Sequence, residues 1–169
     1  PASTLLAVRV VCISDTHGRF RGGDIPAGDL LIHAGDLTGR GGFQEIAREA
    51  EWLRGLAHPY KIVIAGNHDF GFEQEPNLVR PLLVGLTYLE DSQADVNGWR
   101  IWGSPWQPWF YDWAFNLPRD GDELAAVWAR VPEGVDVLLT HSPPHGILDR
   151  TSAGDAAGCE RLRAELPRI

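Results

Sequence analysis

Four short apolar runs, each stopping at residues with metal-binding chemistry, constrain this chain more than any other feature. They are Val8–Ser14, Asp29–Ala34, Lys61–Ala65 and Val135–Thr140. Each is rich in β-branched residues and nearly continuous in hydrophobicity, which predicts strands buried on both faces. Helical spacing predicts helices over Phe43–Leu56, Asp122–Val131 and Cys159–Leu166. In the first, Phe43, Ile46, Ala47, Ala50, Leu53 and Leu56 share one face. Asn97-Gly98, between Ala94-Asp95-Val96 and Trp99–Trp102, is a two-residue hairpin signal. Strands alternating with helices, plus the hairpin, predict an α/β fold. The 169 residues suit a single domain, 1–169, and a chain of that size buries roughly two-thirds of its unfolded surface.

The first run ends in Asp15-Thr16-His17-Gly18 and the second in Gly35-Asp36. The third ends in Gly66-Asn67-His68-Asp69 and the fourth in His141. Loops leaving the carboxyl ends of strands in an α/β sheet converge on one crevice. That crevice therefore receives two carboxylates (Asp15 and Asp36), the Asn67 amide and three imidazoles (His17, His68 and His141). Oxygen and imidazole donors without a thiolate suit Mn, Fe, Zn or Mg better than a structural thiolate zinc site. Taken singly, each motif is also an ordinary turn sequence. Their order at four strand ends predicts a shared metal site. Glycines at 18, 35 and 66 allow the sharp turns and close approaches that such a site needs.

Composition narrows the partners. Fifteen basic against 23 acidic residues leave a net charge of −8, which opposes general nucleic-acid binding because phosphate neutralisation needs clustered cations. No apolar run approaches the roughly 20 residues of a membrane span, so no membrane partner is expected. Two cysteines, Cys12 and Cys159, make no disulfide framework, so the expected compartment is the reducing cytoplasm. The chain lacks Met and begins at Pro1, which reads as a trimmed start.

The order of these motifs resembles the calcineurin-like metallophosphoesterase superfamily over almost the whole chain. Gly103–Leu117 (GSPWQPWFYDWAFNL) and Thr140–Leu148 (THSPPHGIL) look more narrowly like the small metallophosphoesterase-domain proteins. The resemblance implies an α/β sandwich of two packed β-sheets flanked by helices, with two divalent metal ions at the rim. It implies that Asp15 and His17 hold the first ion, that Asp36 bridges both, and that Asn67 and His141 hold the second. His68 would stay off the metal and protonate the leaving group, as imidazole chemistry allows. The implied activity is hydrolysis of a small phosphodiester or phosphomonoester, a cyclic nucleotide included, by attack of a metal-bridging hydroxide. Substrate contacts would come from Asn67 and His68.

Two departures modify that expectation. Gly35-Asp36-Leu37-Thr38-Gly39-Arg40 lacks the second Asp of the protein phosphatases, so a phosphoprotein substrate is not expected. The superfamily closes with a strand and Gly-His-x-His, whereas this chain stops at Leu166-Pro167-Arg168-Ile169. The expectation is a chain truncated before its last strand, with weaker or single metal occupancy. The alternative is a degenerate or truncated member that binds metal or nucleotide with little or no turnover. His145, four residues after His141, is read either as an exposed loop histidine or as a replacement donor or substrate contact. Trp99, Trp102, Trp106, Trp109 and Trp113 are either a cover over a sheet edge or an aromatic wall beside the metal cleft. Arg119 and Arg150 are read as surface arginines with phosphate contact as the alternative. His33 and His58 are read as structural.

Overall fold

The computed structural model describes residues 8–20 and 25–169; Pro1 lies outside them. The first three apolar runs form parallel strands β1 (Val10–Ile13), β2 (Leu30–Ala34) and β3 (Tyr60–Ile64). A short fourth strand, β4 (Thr87–Tyr88), extends this sheet in the order β1-β2-β3-β4. Between β2 and β3 runs helix α1 (Phe43–Gly55), which buries Ile46, Ala50 and Leu53. These positions recur at the three- and four-residue spacing of one helix face. Leu53 packs with Val11, Leu31, Leu37 and Val63 against the outer face of the sheet.

The second sheet begins with the hairpin. Strands β5 (Ser92–Val96) and β6 (Trp99–Ser104) pair antiparallel. Asn97 and Gly98 both adopt positive φ (54° and 85°), as a type I′ turn demands and as Asn-Gly sequences favour. The fourth run becomes a strand here too, Val137–Thr140, numbered β9 after two further short strands. It pairs parallel with β6, not with the first sheet. The four runs are therefore divided between two sheets, the two-sheet sandwich that the resemblance implied.

Burial on both faces also holds only in part. β2 is buried along nearly its whole length, whereas β1 buries only Val11 because it forms the sheet edge. The two sheets pack face to face through Leu30, Ile32, Ile62, Ile64, Val96, Ile101 and Leu139. Truncating a fully buried member such as Ile101 to Ala would cost about 3 kcal/mol. The outer face of the second sheet is covered by α4 (Asp122–Ala129) and α5 (Glu160–Glu165), through Leu124, Trp128 and Leu162 packed on Trp102. The last two predicted helices thus exist but end earlier than their sequence pattern.

Between β3 and β4 lie α2 (Phe70–Gln74), α3 (Pro76–Val79) and a single 3₁₀ turn. The strands β7 (Gln107–Pro108) and β8 (Asn116–Leu117) bracket a loop rich in aromatics. Among the described residues no helix is long and apolar enough to cross a membrane.

Candidate metal centre

The site is built where the loops after β1, β2 and β3 are laced together. Asp15, His17 and Asp36 all take left-handed backbone conformations, with φ of 55°, 47° and 54°. Such conformations are uncommon outside glycine, and asparagine, aspartate and histidine tolerate them best. Hydrogen bonds hold them: Asp15 N–H donates to the Gly35 carbonyl at 3.0 Å, His17 N–H to the Asp36 carbonyl at 3.0 Å, and Gly18 N–H to the Leu37 carbonyl at 2.9 Å.

A buried carboxylate fastens the second loop to the third. Asp69 accepts from the amides of Leu37 (3.1 Å), Thr38 (2.8 Å) and Gly66 (2.8 Å) and from the Thr38 hydroxyl (2.6 Å). Burial pushes its carboxyl up from the usual range while these donors oppose the shift. Gly35 and Gly66 have a further function. A methyl group at Gly66 would collide with the amide and carboxylate of Asp36, and one at Gly35 with the His141 ring. The bare backbone is what lets the loops and His141 close on one another.

Asp36 lies buried at the centre. Around it three imidazoles are fixed in the same way. His141 Nδ1 lies 2.8 Å from the Ala34 carbonyl, His68 Nδ1 2.9 Å from that of Gly39, and His17 Nδ1 3.3 Å from that of Thr38. A carbonyl only accepts, so each Nδ1 carries the hydrogen and each neutral ring presents its Nε2 lone pair. Those Nε2 atoms face the Asp36 carboxylate at 3.4 Å (His141), 3.7 Å (His17) and 3.9 Å (His68). Asn67 places Oδ1 3.0 Å from His141 Nε2, and the His68 amide donates to Asp36 Oδ1 at 2.9 Å. Lone pairs converging at these distances repel unless positive charge sits among them, so the donor set fits divalent cations.

The donors divide into two groups that share Asp36. One is Asp15, Asp36 and His141; the other is His17, Asp36 and His68. The structure therefore brings all six predicted strand-end residues together. Asp15 and His141 fall in one group, His17 and His68 in the other, and Asn67 stands beside His141.

Beside this centre lies a cleft of about 580 Å³ lined by Arg40, Phe70, Phe110, Tyr111 and Trp113 together with Asn67 and His68. Trp113 packs on His68 with ring centroids 4.2 Å apart, and His17 meets His68 edge-on at 4.5 Å. The tryptophan-rich segment is thus split in function. Trp102 and Trp106 pack into the apolar layers, Trp113 stands at the site, and Trp109 is half exposed.

His145 is in neither donor group. Its Nδ1 lies 3.5 Å from both Asp149 and Glu160. Arg119 binds Glu160 and the carbonyls of Ala157 and Gly158, and Arg150 binds the Gly154 carbonyl. Both arginines brace the last long loop. His58 Nε2 donates to the Pro26 carbonyl at 2.9 Å, a structural bond. Sequence reasoning missed the clamp made by Asp69; its only signal was the acidic end of Gly66-Asn67-His68-Asp69.

This arrangement coincides with a family match. The calcineurin-like phosphoesterase model matches residues 8–168, and the chain belongs to that family, a class of metal-dependent phosphoesterases. It is 48% identical over 164 residues to the human metallophosphoesterase domain-containing protein 1, covering 83% of this chain and 50% of that protein. It is 38% identical over 185 residues to the UPF0046 protein T07D4.2 of Caenorhabditis elegans, covering 92% of this chain and 46% of that one. The chain spans about half the length of these curated relatives.

Proposed function

We propose that the chain carries the metal centre of a phosphoesterase that hydrolyses a small phosphodiester or phosphomonoester, cyclic nucleotides included. The observation that carries this reading is the cluster of carboxylate, amide and imidazole donors gathered around the buried Asp36 carboxylate, which belongs to both donor groups. Asp15, His17, Asp36, Asn67 and His141 would hold two divalent ions of the Mn, Fe, Zn or Mg type. Bound there, such ions supply charge neutralisation at the phosphoryl oxygens and an acidified water.

The chain's own residues do the rest. Asp36 supplies the one anion placed to serve both positions. His68 stays off the ions in this reading: with a proton on Nε2 in place of the lone pair, the ring gives that proton to the departing oxygen, held by the Gly39 carbonyl and by contact with Trp113 and His17. The aromatic walls of the adjoining cleft, Phe110, Tyr111 and Trp113, suit a planar group on the substrate. A net charge of −8 does not repel such a substrate, because bound cations dominate the local field. The small substrate is then the only partner this reading requires, without nucleic acid or membrane. Both cysteines are free thiols, which suits a cytoplasmic location.

Hydrolysis of bis(p-nitrophenyl) phosphate with added Mn²⁺, run beside a nucleotide-binding titration, tests the reading. Turnover that needs Mn²⁺ and stops with a chelator supports it. Nucleotide or metal binding with no Mn²⁺-dependent turnover contradicts it and leaves a binding module.

A further inference from the structure

Thr16 is the middle residue between Asp15 and His17, both held in left-handed conformations. Its hydroxyl lies 3.3 Å from the Leu37 carbonyl and 2.9 Å from Nε2 of His33. A hydroxyl has one hydrogen. Given to the carbonyl, it leaves the oxygen free only to accept, so His33 Nε2 carries the hydrogen and donates. His33 is fully buried in β2, and its Nδ1 has no hydrogen-bond partner among the described residues. The reaction outlined above uses neither residue.

We infer that His33 is a positioning residue: through the Thr16 hydroxyl it fixes the backbone frame that aims Asp15 and His17 at the cation site. The inference rests on the metal reading above. Residues in strained backbone conformations persist only where their surroundings over-determine them. The amides of Asp15 and His17 are anchored to the second loop. The His33–Thr16–Leu37 chain anchors the residue between them. A bond made two steps from the ion still sets ligand direction, because outer partners of metal ligands govern their orientation. Burial holds the His33 imidazole down at about 4, which keeps the ring neutral while its Nε2–H is committed to Thr16.

Mn²⁺ titration of the full chain by calorimetry, beside thermal unfolding of the chelator-treated protein, decides the matter. Thr16→Val and His33→Leu should each weaken Mn²⁺ affinity about tenfold or more. Thr16→Ser keeps the hydroxyl and should bind like the parent. The double variant should bind no worse than the weaker single one, because both changes break one chain. Parent-like affinity in Thr16→Val overturns the inference, and so does a double variant whose losses multiply. Lowered thermal stability with unchanged affinity also overturns it, leaving His33 as a packing residue. If His33→Leu fails to fold, the two Thr16 variants decide alone. A parent chain with no Mn²⁺ affinity removes the metal reading and this inference together, whereas intact parent affinity with indifferent variants removes only the inference.

Discussion

His141 and His145 are four residues apart in one loop, yet they occupy opposite situations. The His141 side chain is 8% exposed, its Nδ1 committed to the Ala34 carbonyl and its Nε2 turned toward Asp36 and Asn67. The His145 side chain is 45% exposed and faces two carboxylates, Asp149 of its own loop and Glu160 at the start of α5. Residue type and nearness in sequence are equal in the two. The difference lies in the backbone partner at Nδ1, which fixes the tautomer and aims the other nitrogen. His17 and His68 share the arrangement of His141, so the rule separates the cradle from the periphery.

The contrast breaks most readily at its strongest point. His141→Ala should weaken Mn²⁺ binding by more than about a hundredfold in calorimetry, beyond the range of an outer-sphere change. His68→Ala comes next in turnover, with a loss of about 10²–10⁴ expected of a general acid and Mn²⁺ affinity retained. Equal turnover would remove its catalytic role, and lost Mn²⁺ would make it a ligand instead. Asp69→Asn puts an amide where four donors converge, and unfolding in urea should show a loss of about 3 kcal/mol.

The buried His33 sharpens the comparison through pH. Its pKa is pushed down by burial to about 4 in the fold, against about 6.5 in the unfolded chain. In that interval the unfolded chain binds a proton that the folded chain refuses. The contribution is therefore complete above about pH 6.5 and is lost as pH falls toward 4, by up to about 3 kcal/mol. Unfolding curves of His33→Gln across this window should fall less steeply than those of the parent. The smallest effect belongs to the periphery: His145→Ala should leave Mn²⁺ affinity unchanged, and a measurable loss would erase the distinction.

Much of this is legible in the sequence. Val8–Ser14, Asp29–Ala34 and Lys61–Ala65 announce strands because continuous apolar runs have few other uses, and Asn97-Gly98 announces its own turn. The residues at the four run ends announce a shared site because their donor types match. What stayed hidden depends on contacts far apart in sequence. Nothing in Val135–Thr140 says that it joins the hairpin sheet and not β3. The exposed face of β1 follows from its place at a sheet edge, which only pairing decides. Asp69 reads as a turn residue until Leu37 and Thr38 are seen to point at it. The grouping of donors across Asp36 depends on left-handed conformations at Asp15, His17 and Asp36 that residue identity permits but does not dictate.

The central claim is that Asp36 is the shared ligand of two cation positions. Anomalous diffraction from crystals soaked in Mn²⁺ tests it most directly. The account predicts two peaks, one on either side of the Asp36 carboxylate, with His141 contacting one and His17 the other. Peaks absent from Asp36, or appearing instead among His145, Asp149 and Glu160, would contradict it.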